Sequence, residues 1–176
     1  MSLMPVAQAL DHLLTSASAE SLPDTETLRL EAVLGRVLAK PLHSAQDVPP
    51  WDNSAMDGYA LHAADIAAAN QTGLPVSQRI TAGMAPHPLA RGTCARIFTG
   101  APIPGGADTV EMQENVTLDP QGLAHFTRIL KPGQNVRPQG QDIRKGSILL
   151  KSGLKLRPQD LGLIASVGLA KVEVYR

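Results

Sequence analysis

Between residues 46 and 140, Pro and Gly recur so often that no apolar run in this stretch is long. An interior Pro removes a helix hydrogen bond and clashes with the preceding turn, and an interior Gly costs conformational entropy, so long helices are excluded there. Short strands survive such interruptions. Residues 59–61, 78–81, 95–99, 108–113 and 125–130 read as strands, separated by turns at 104–106, 119–122 and 131–133. Short strands at this spacing predict a small antiparallel sandwich or barrel.

Both ends of the chain read differently. Pro5 can open a helix over 5–18, in which Val6, Leu10, Leu13 and Leu14 recur at helical spacing, and 16–25 then turns polar. Residues 27–30 alternate like a strand, 31–34 before Gly35 suggest a helical turn, and 37–42 read as another strand. After Gly146, residues 147–150 form a strand. A helix from Pro158 places Leu161, Ile164 and Ala165 on one face and ends near Gly168, and 171–175 alternate as a closing strand. The predicted fold is α+β and mainly β. A β-barrel or sandwich domain (46–142) is inserted in a mixed α/β outer domain of the dimerisation type, built from 4–45 and 143–176. Residues 1–3 look like an expression remnant.

Composition narrows the function classes. The 16 basic and 16 acidic residues balance, so nothing favours nucleic acid or an acidic membrane surface. Aromatic residues make up 3% of the chain, too few for a base-stacking platform. Cys94 is alone, which excludes an internal disulfide and a multi-cysteine zinc site. His12, His43, His62, His87 and His125 are scattered without metal-ligand spacing. No apolar stretch reaches membrane-spanning length and no signal peptide opens the chain, which predicts a cytoplasmic protein.

Three segments could carry chemistry. The first runs Pro49, Pro50, Trp51, Asp52, Asn53, Ser54, Ala55, Met56, Asp57, Gly58. Its oxygen-rich side chains suit a hard cation, yet Asp, Asn and Ser also serve turns by bonding their own backbone. The second, Phe98 to Pro104, ends a strand at the Thr99 hydroxyl and could offer that group and backbone N–H donors to an anion. From the residues alone an ordinary rigid loop is the favoured reading. In the third, Gln134 to Ile143, Arg137 could hold an oxyanion as a planar fork and Asp142 could serve a metal or act as a base. A connecting segment with one salt bridge explains it as well.

Together these motifs resemble the signature of the molybdopterin molybdotransferases, the family of bacterial MoeA and the E domain of gephyrin. Residues 96–102, 110–114 and 133–143 fit in family order, as does the weaker run 31–38. Trp51 stands where the family often carries Phe. The resemblance implies insertion of molybdate into adenylylated molybdopterin with release of AMP, aided by Mg²⁺, in a homodimer. Molybdopterin adenylyltransferase and molybdoenzyme apoproteins are then expected partners. It assigns catalytic roles to Asp57, Thr99 and Asp142, with Asp57 also a metal ligand, and substrate contacts to Asn53, Ser54 and Arg137. Family members are more than twice as long, so the chain corresponds to their N-terminal portion and is expected to be inactive alone. The alternative is a non-catalytic dimerisation or scaffold module. In the family, the first helix packs largely on the absent part, so Leu10, Leu13 and Leu14 would need another cover.

Overall fold

The computed structural model describes residues 4–19 and 24–176, so residues 1–3 and the section 20–23 of the expected polar loop lie outside the described residues. In chain order the elements are α1 (Val6–Ala19), β1 (Thr25–Arg29), β2 (Leu42–His43), β3 (Asn53–Ser54), β4 (Gly58–Leu61), α2 (Ile66–Thr72) and β5 (Leu74–Ile80). They continue with β6 (Cys94–Ile97), β7 (Thr109–Met112), β8 (Val116–Leu118), β9 (Leu123–Phe126), β10 (Val136–Arg137), β11 (Ile148–Leu150), α3 (Pro158–Ser166) and β12 (Lys171–Tyr175). Short 3-10 turns occupy Leu30–Ala32, Ala63–Asp65 and Gln113–Asn115. The fold is mainly β with few helices. It divides into two compact units, one ending at His43 and resuming with Ile148–Arg176, the other Ser44–Ser147.

In the first unit β1 pairs antiparallel with β12, from Thr25 opposite Tyr175 to Arg29 opposite Lys171. Alternation then sends Val172 and Val174 into a core with Val33, Leu38, Leu156 and Ile164. Each such fully buried side chain contributes about 1.5–3 kcal/mol. The expected strand over 37–42 is broken up: Val37 and Leu38 make isolated bridges and β2 starts only at Leu42, after Pro41, which cannot donate to a ladder. Pro158 opens α3 as expected, and the Asp160 carboxylate accepts the backbone N–H and the guanidinium of Arg157. Ile164 is buried and Leu161 packs at the edge of the core, whereas Ala165 is exposed. In α1, Leu10, Leu13 and Leu14 are exposed by 54, 68 and 58%.

The second unit holds a six-stranded sheet in the order β7-β4-β6-β5-β9-β8. It is not wholly antiparallel as expected, because β5 and β6 run parallel. Residues 81–93 between them are a connection long enough for that crossover. The sheet is also curled. Its end strands β7 and β8 are separated in sequence by the Gln113–Asn115 turn alone. Six flat strands would set them about 24 Å apart at about 4.8 Å per gap, beyond the roughly 14 Å that four residues can reach. The rings of Tyr59 on β4 and Phe126 on β9 meet edge to face at 6.3 Å, although two strands lie between them.

Both faces of this sheet are covered. Tyr59, Leu61 and Cys94 join Leu74 and Phe126 in one cluster, while Ala60, Ala95 and Ile97 join Ile80 and Val110 in another. A strand buried on both faces shows no polar alternation, which is why β4 is a plain apolar run and β6 departs from one only at the half-buried Arg96.

Candidate functional site

The three motif segments are laced together within the second unit. Antiparallel pairing of β3 with β10 sets Asn53 opposite Arg137 and Ser54 opposite Val136. The Gly100 N–H donates to the Ser54 carbonyl at 2.8 Å, and the Ser54 N–H donates to the Ala101 carbonyl at 2.9 Å. Gly140 and Asp142 donate their N–H groups to the carbonyls of Pro49 and Val48. The Gln139 N–H reaches a carboxylate oxygen of Asp52 at 2.7 Å, so Asp52 ties the first segment to the third.

At the meeting of the first two segments, one oxygen of Asp57 accepts the backbone N–H and the hydroxyl of Thr99, each at 2.8 Å. Those two bonds, with the positive charge of Arg96 as a smaller cause, hold the exposed Asp57 carboxyl below its ordinary range. The carboxylate is therefore ionised at neutral pH, and its second oxygen has no hydrogen-bond partner among the described residues. The anion that the Thr99 turn holds is this side chain. Ala101 and Ile103 also direct their N–H groups inward, to the carbonyls of Phe98 and Asp52, which makes the segment a rigid platform.

The other expected site residues fall into two situations. Ser54 is fully buried and its hydroxyl donates to the Met56 carbonyl at 2.6 Å, a local turn contact. Asn53 is buried, and its side-chain oxygen lacks a partner. Arg137 and Asp142 form an exposed ion pair at 2.9 Å. Asp57 and Thr99 are thus joined directly, whereas Asn53, Ser54, Arg137 and Asp142 are brought alongside through the β3–β10 framework.

Sequence reasoning missed the support behind Asp57. The next residue, Gly58, lies against β7, where an added Cβ would sit 1.9 Å from the Glu111 carbonyl oxygen. Arg96 donates to the carbonyls of Gly58 and Ile97 and to the Gln113 side chain, and Gln113 donates its own N–H to the Asp57 carbonyl at 3.0 Å. The signal was present in β6. Strand alternation places Cys94, Arg96 and Phe98 on one side, and an Arg inside an apolar run needs partners. Glu111, unlike the half-buried Arg96, is fully buried. One of its carboxylate oxygens accepts from Met112 and Asn115 and the other is unpaired. Among the described residues no three His, Cys, Asp or Glu side chains gather as a metal cluster. No described helix is long and apolar enough to cross a membrane.

Residues 4–168 match the family model of the MoeA N-terminal region, domains I and II. This chain belongs to that family. It is 41% identical over 168 residues to the molybdopterin molybdenumtransferase of Haemophilus influenzae, covering 92% of this chain and 40% of that protein. The Synechococcus elongatus protein of the same name is 44% identical over 145 residues, 80% of this chain and 36% of the relative. A crystal structure of the molybdopterin biosynthesis MoeA protein from Pyrococcus horikosii superposes with a TM-score of 0.87 at 35% identity, covering 99% of this chain and 45% of that one. The chain therefore spans less than half the length of these MoeA relatives.

Proposed function

We propose that these residues form the N-terminal part of a molybdopterin molybdotransferase, which inserts molybdate into adenylylated molybdopterin and releases AMP in molybdenum cofactor biosynthesis. The observation that carries this reading is the ionised, exposed Asp57, pinned by Thr99 where two family motifs meet. Opening a phosphoanhydride and placing an oxyanion both require charged groups held in advance of the reaction. Asp57 and Thr99 supply one wall of such a site, with Asp142, Arg137, Asn53 and Ser54 lining the framework beside them.

The free Asp57 oxygen is a hard donor of the type Mg²⁺ prefers, and it is the ligand these residues would contribute. Such an ion, when bound, would neutralise phosphate charge. The Asp57 residue itself orients its partners, and Thr99 keeps the carboxylate deprotonated and aimed outward.

We further propose a cytoplasmic homodimer, with the first unit as the dimerisation part and the second closed as a small barrel. The exposed Leu10, Leu13 and Leu14 face of α1 supports a covering partner, and it also favours the second reading, a scaffold module of the gephyrin type. Contacts with molybdopterin adenylyltransferase and molybdoenzyme apoproteins belong to the same proposal.

Asp57→Asn separates the two readings. In a full-length protein carrying these residues, insertion from adenylylated molybdopterin, molybdate and Mg²⁺ should be lost while the melting temperature is kept. Undiminished insertion would end the catalytic assignment of Asp57. The 176-residue chain alone should give no turnover, and activity from it would place the catalytic machinery wholly within these residues.

A further inference from the structure

The second unit contains two arginines held side by side, one of them, Arg96, within electrostatic reach of the ionised Asp57 carboxylate. Arg79 on β5 and Arg96 on β6 are register partners on adjacent parallel strands. Like charges directly opposite one another on a sheet are unfavourable. Both guanidinium groups nevertheless stack on one ring, with Arg79 4.7 Å and Arg96 4.4 Å from the Phe98 centroid. Neither takes part in an ion pair among the described residues.

Their hydrogen bonding differs. Arg96 donates to Gly58, Ile97 and Gln113, which fixes its plane. Arg79 is exposed and meets no acceptor among the described residues, so its planar set of N–H donors faces solvent while the ring restrains its orientation. If Arg79 merely covered the aromatic face, one cation would do. A second guanidinium held beside the first raises the local positive potential, which suits a doubly charged anion.

We infer that Arg79, backed by Arg96 and Phe98, is a binding site for a phosphate-type dianion beside the Thr99–Asp57 clamp. Two clefts of this unit lack this chemistry. A cleft of about 310 Å³ at Trp51, Met84 and Pro86 is apolar, and one of about 350 Å³ is edged by the carboxylates of Asp52 and Asp108. Phe98 directly precedes Thr99, so the ring under Arg79 and the donor that holds Asp57 are consecutive residues. The assignment rests on the molybdotransferase reading only for the anion's source, either a phosphoanhydride group or a free tetrahedral oxyanion. Arg79 is then a specificity-determining residue for that anion.

The test is a titration of the ¹⁵N-labelled 176-residue chain with inorganic pyrophosphate, and separately with molybdate, each against KCl of matched ionic strength. The Arg79 side-chain N–H and the Thr99 amide should shift saturably. Arg79→Gln should weaken binding about tenfold, as expected for losing a charge-assisted contact, and Phe98→Leu should weaken it by removing the platform. Arg144→Gln, an exposed arginine elsewhere in the same unit, should leave it unchanged. Preference for pyrophosphate identifies an anhydride as the source, and preference for molybdate identifies the free oxyanion. Unsaturable shifts, or wild-type affinity in Arg79→Gln with its remaining amide spectrum intact, would overturn the site. Because binding is read without metal insertion, a full-length protein that binds pyrophosphate but inserts no molybdenum would refute the molybdotransferase reading alone.

Discussion

A single oxygen of Asp57 receives both donors of Thr99, the backbone N–H and the hydroxyl, across 42 residues of sequence. The arrangement links protonation to structure. Because the folded carboxyl titrates below its ordinary range, its stabilising contribution is present above that range and is lost as pH falls through the depressed value. Thr99→Val keeps the amide donor and removes the hydroxyl. A carboxyl ¹³C titration should then give an Asp57 midpoint above that of the wild type, still short of an ordinary Asp, since the backbone bond is the larger cause. An unchanged midpoint would mean that the hydroxyl contributes nothing.

Gly58 leaves no space for a side chain. With a Cβ 1.9 Å from the Glu111 carbonyl oxygen, Gly58→Ala must separate β4 from β7. Urea denaturation should report a loss of about 3 kcal/mol, the upper part of the usual range for overpacking. The Asp57 midpoint should move as well, because Gly58 follows it directly.

Cys94 is buried, and burial pushes its thiol up to about 12. An aromatic disulfide reagent at pH 8 should leave it unmodified until denaturant is added. Ionisation favours the unfolded chain once pH passes the ordinary thiol value, so stability should fall from about pH 9 to 12. Rapid modification under native conditions would contradict the burial.

Asp142 and Arg137 form a half-exposed pair of the kind worth about 0–1 kcal/mol. Asp142→Asn should therefore leave thermal stability almost unchanged. If molybdenum insertion by a full-length protein falls sharply in the same variant, the loss lies in chemistry or substrate placement.

Elements at the ends of the chain were readily legible. Strand β12 coincides with the alternating run 171–175, and α3 begins at Pro158 as its ring geometry requires. The middle was harder to read. Helix α2 was missed because the surrounding Pro and Gly suggested strands alone, although its alanines are strong helix formers. Strand β5 starts at Leu74 and includes Pro75, a residue that ordinarily argues against a strand. β9 ends at Phe126, leaving Ile129 85% exposed where a strand was expected to continue. For the site, motif content identified Asp57 and Thr99 separately. Their bond could not be read from the chain, because it depends on the strand order that brings residues 42 positions apart together.

Surface connections usually tolerate added residues at little cost. The Gln113–Asn115 turn is an exception, because it joins the two end strands of the curled sheet while Gln113 grips Arg96 and the backbone of Asp57. It works as a buckle: its length sets the girth of the sheet and the seating of the carboxylate together. Lengthening it by a few residues would loosen both, however polar the insert.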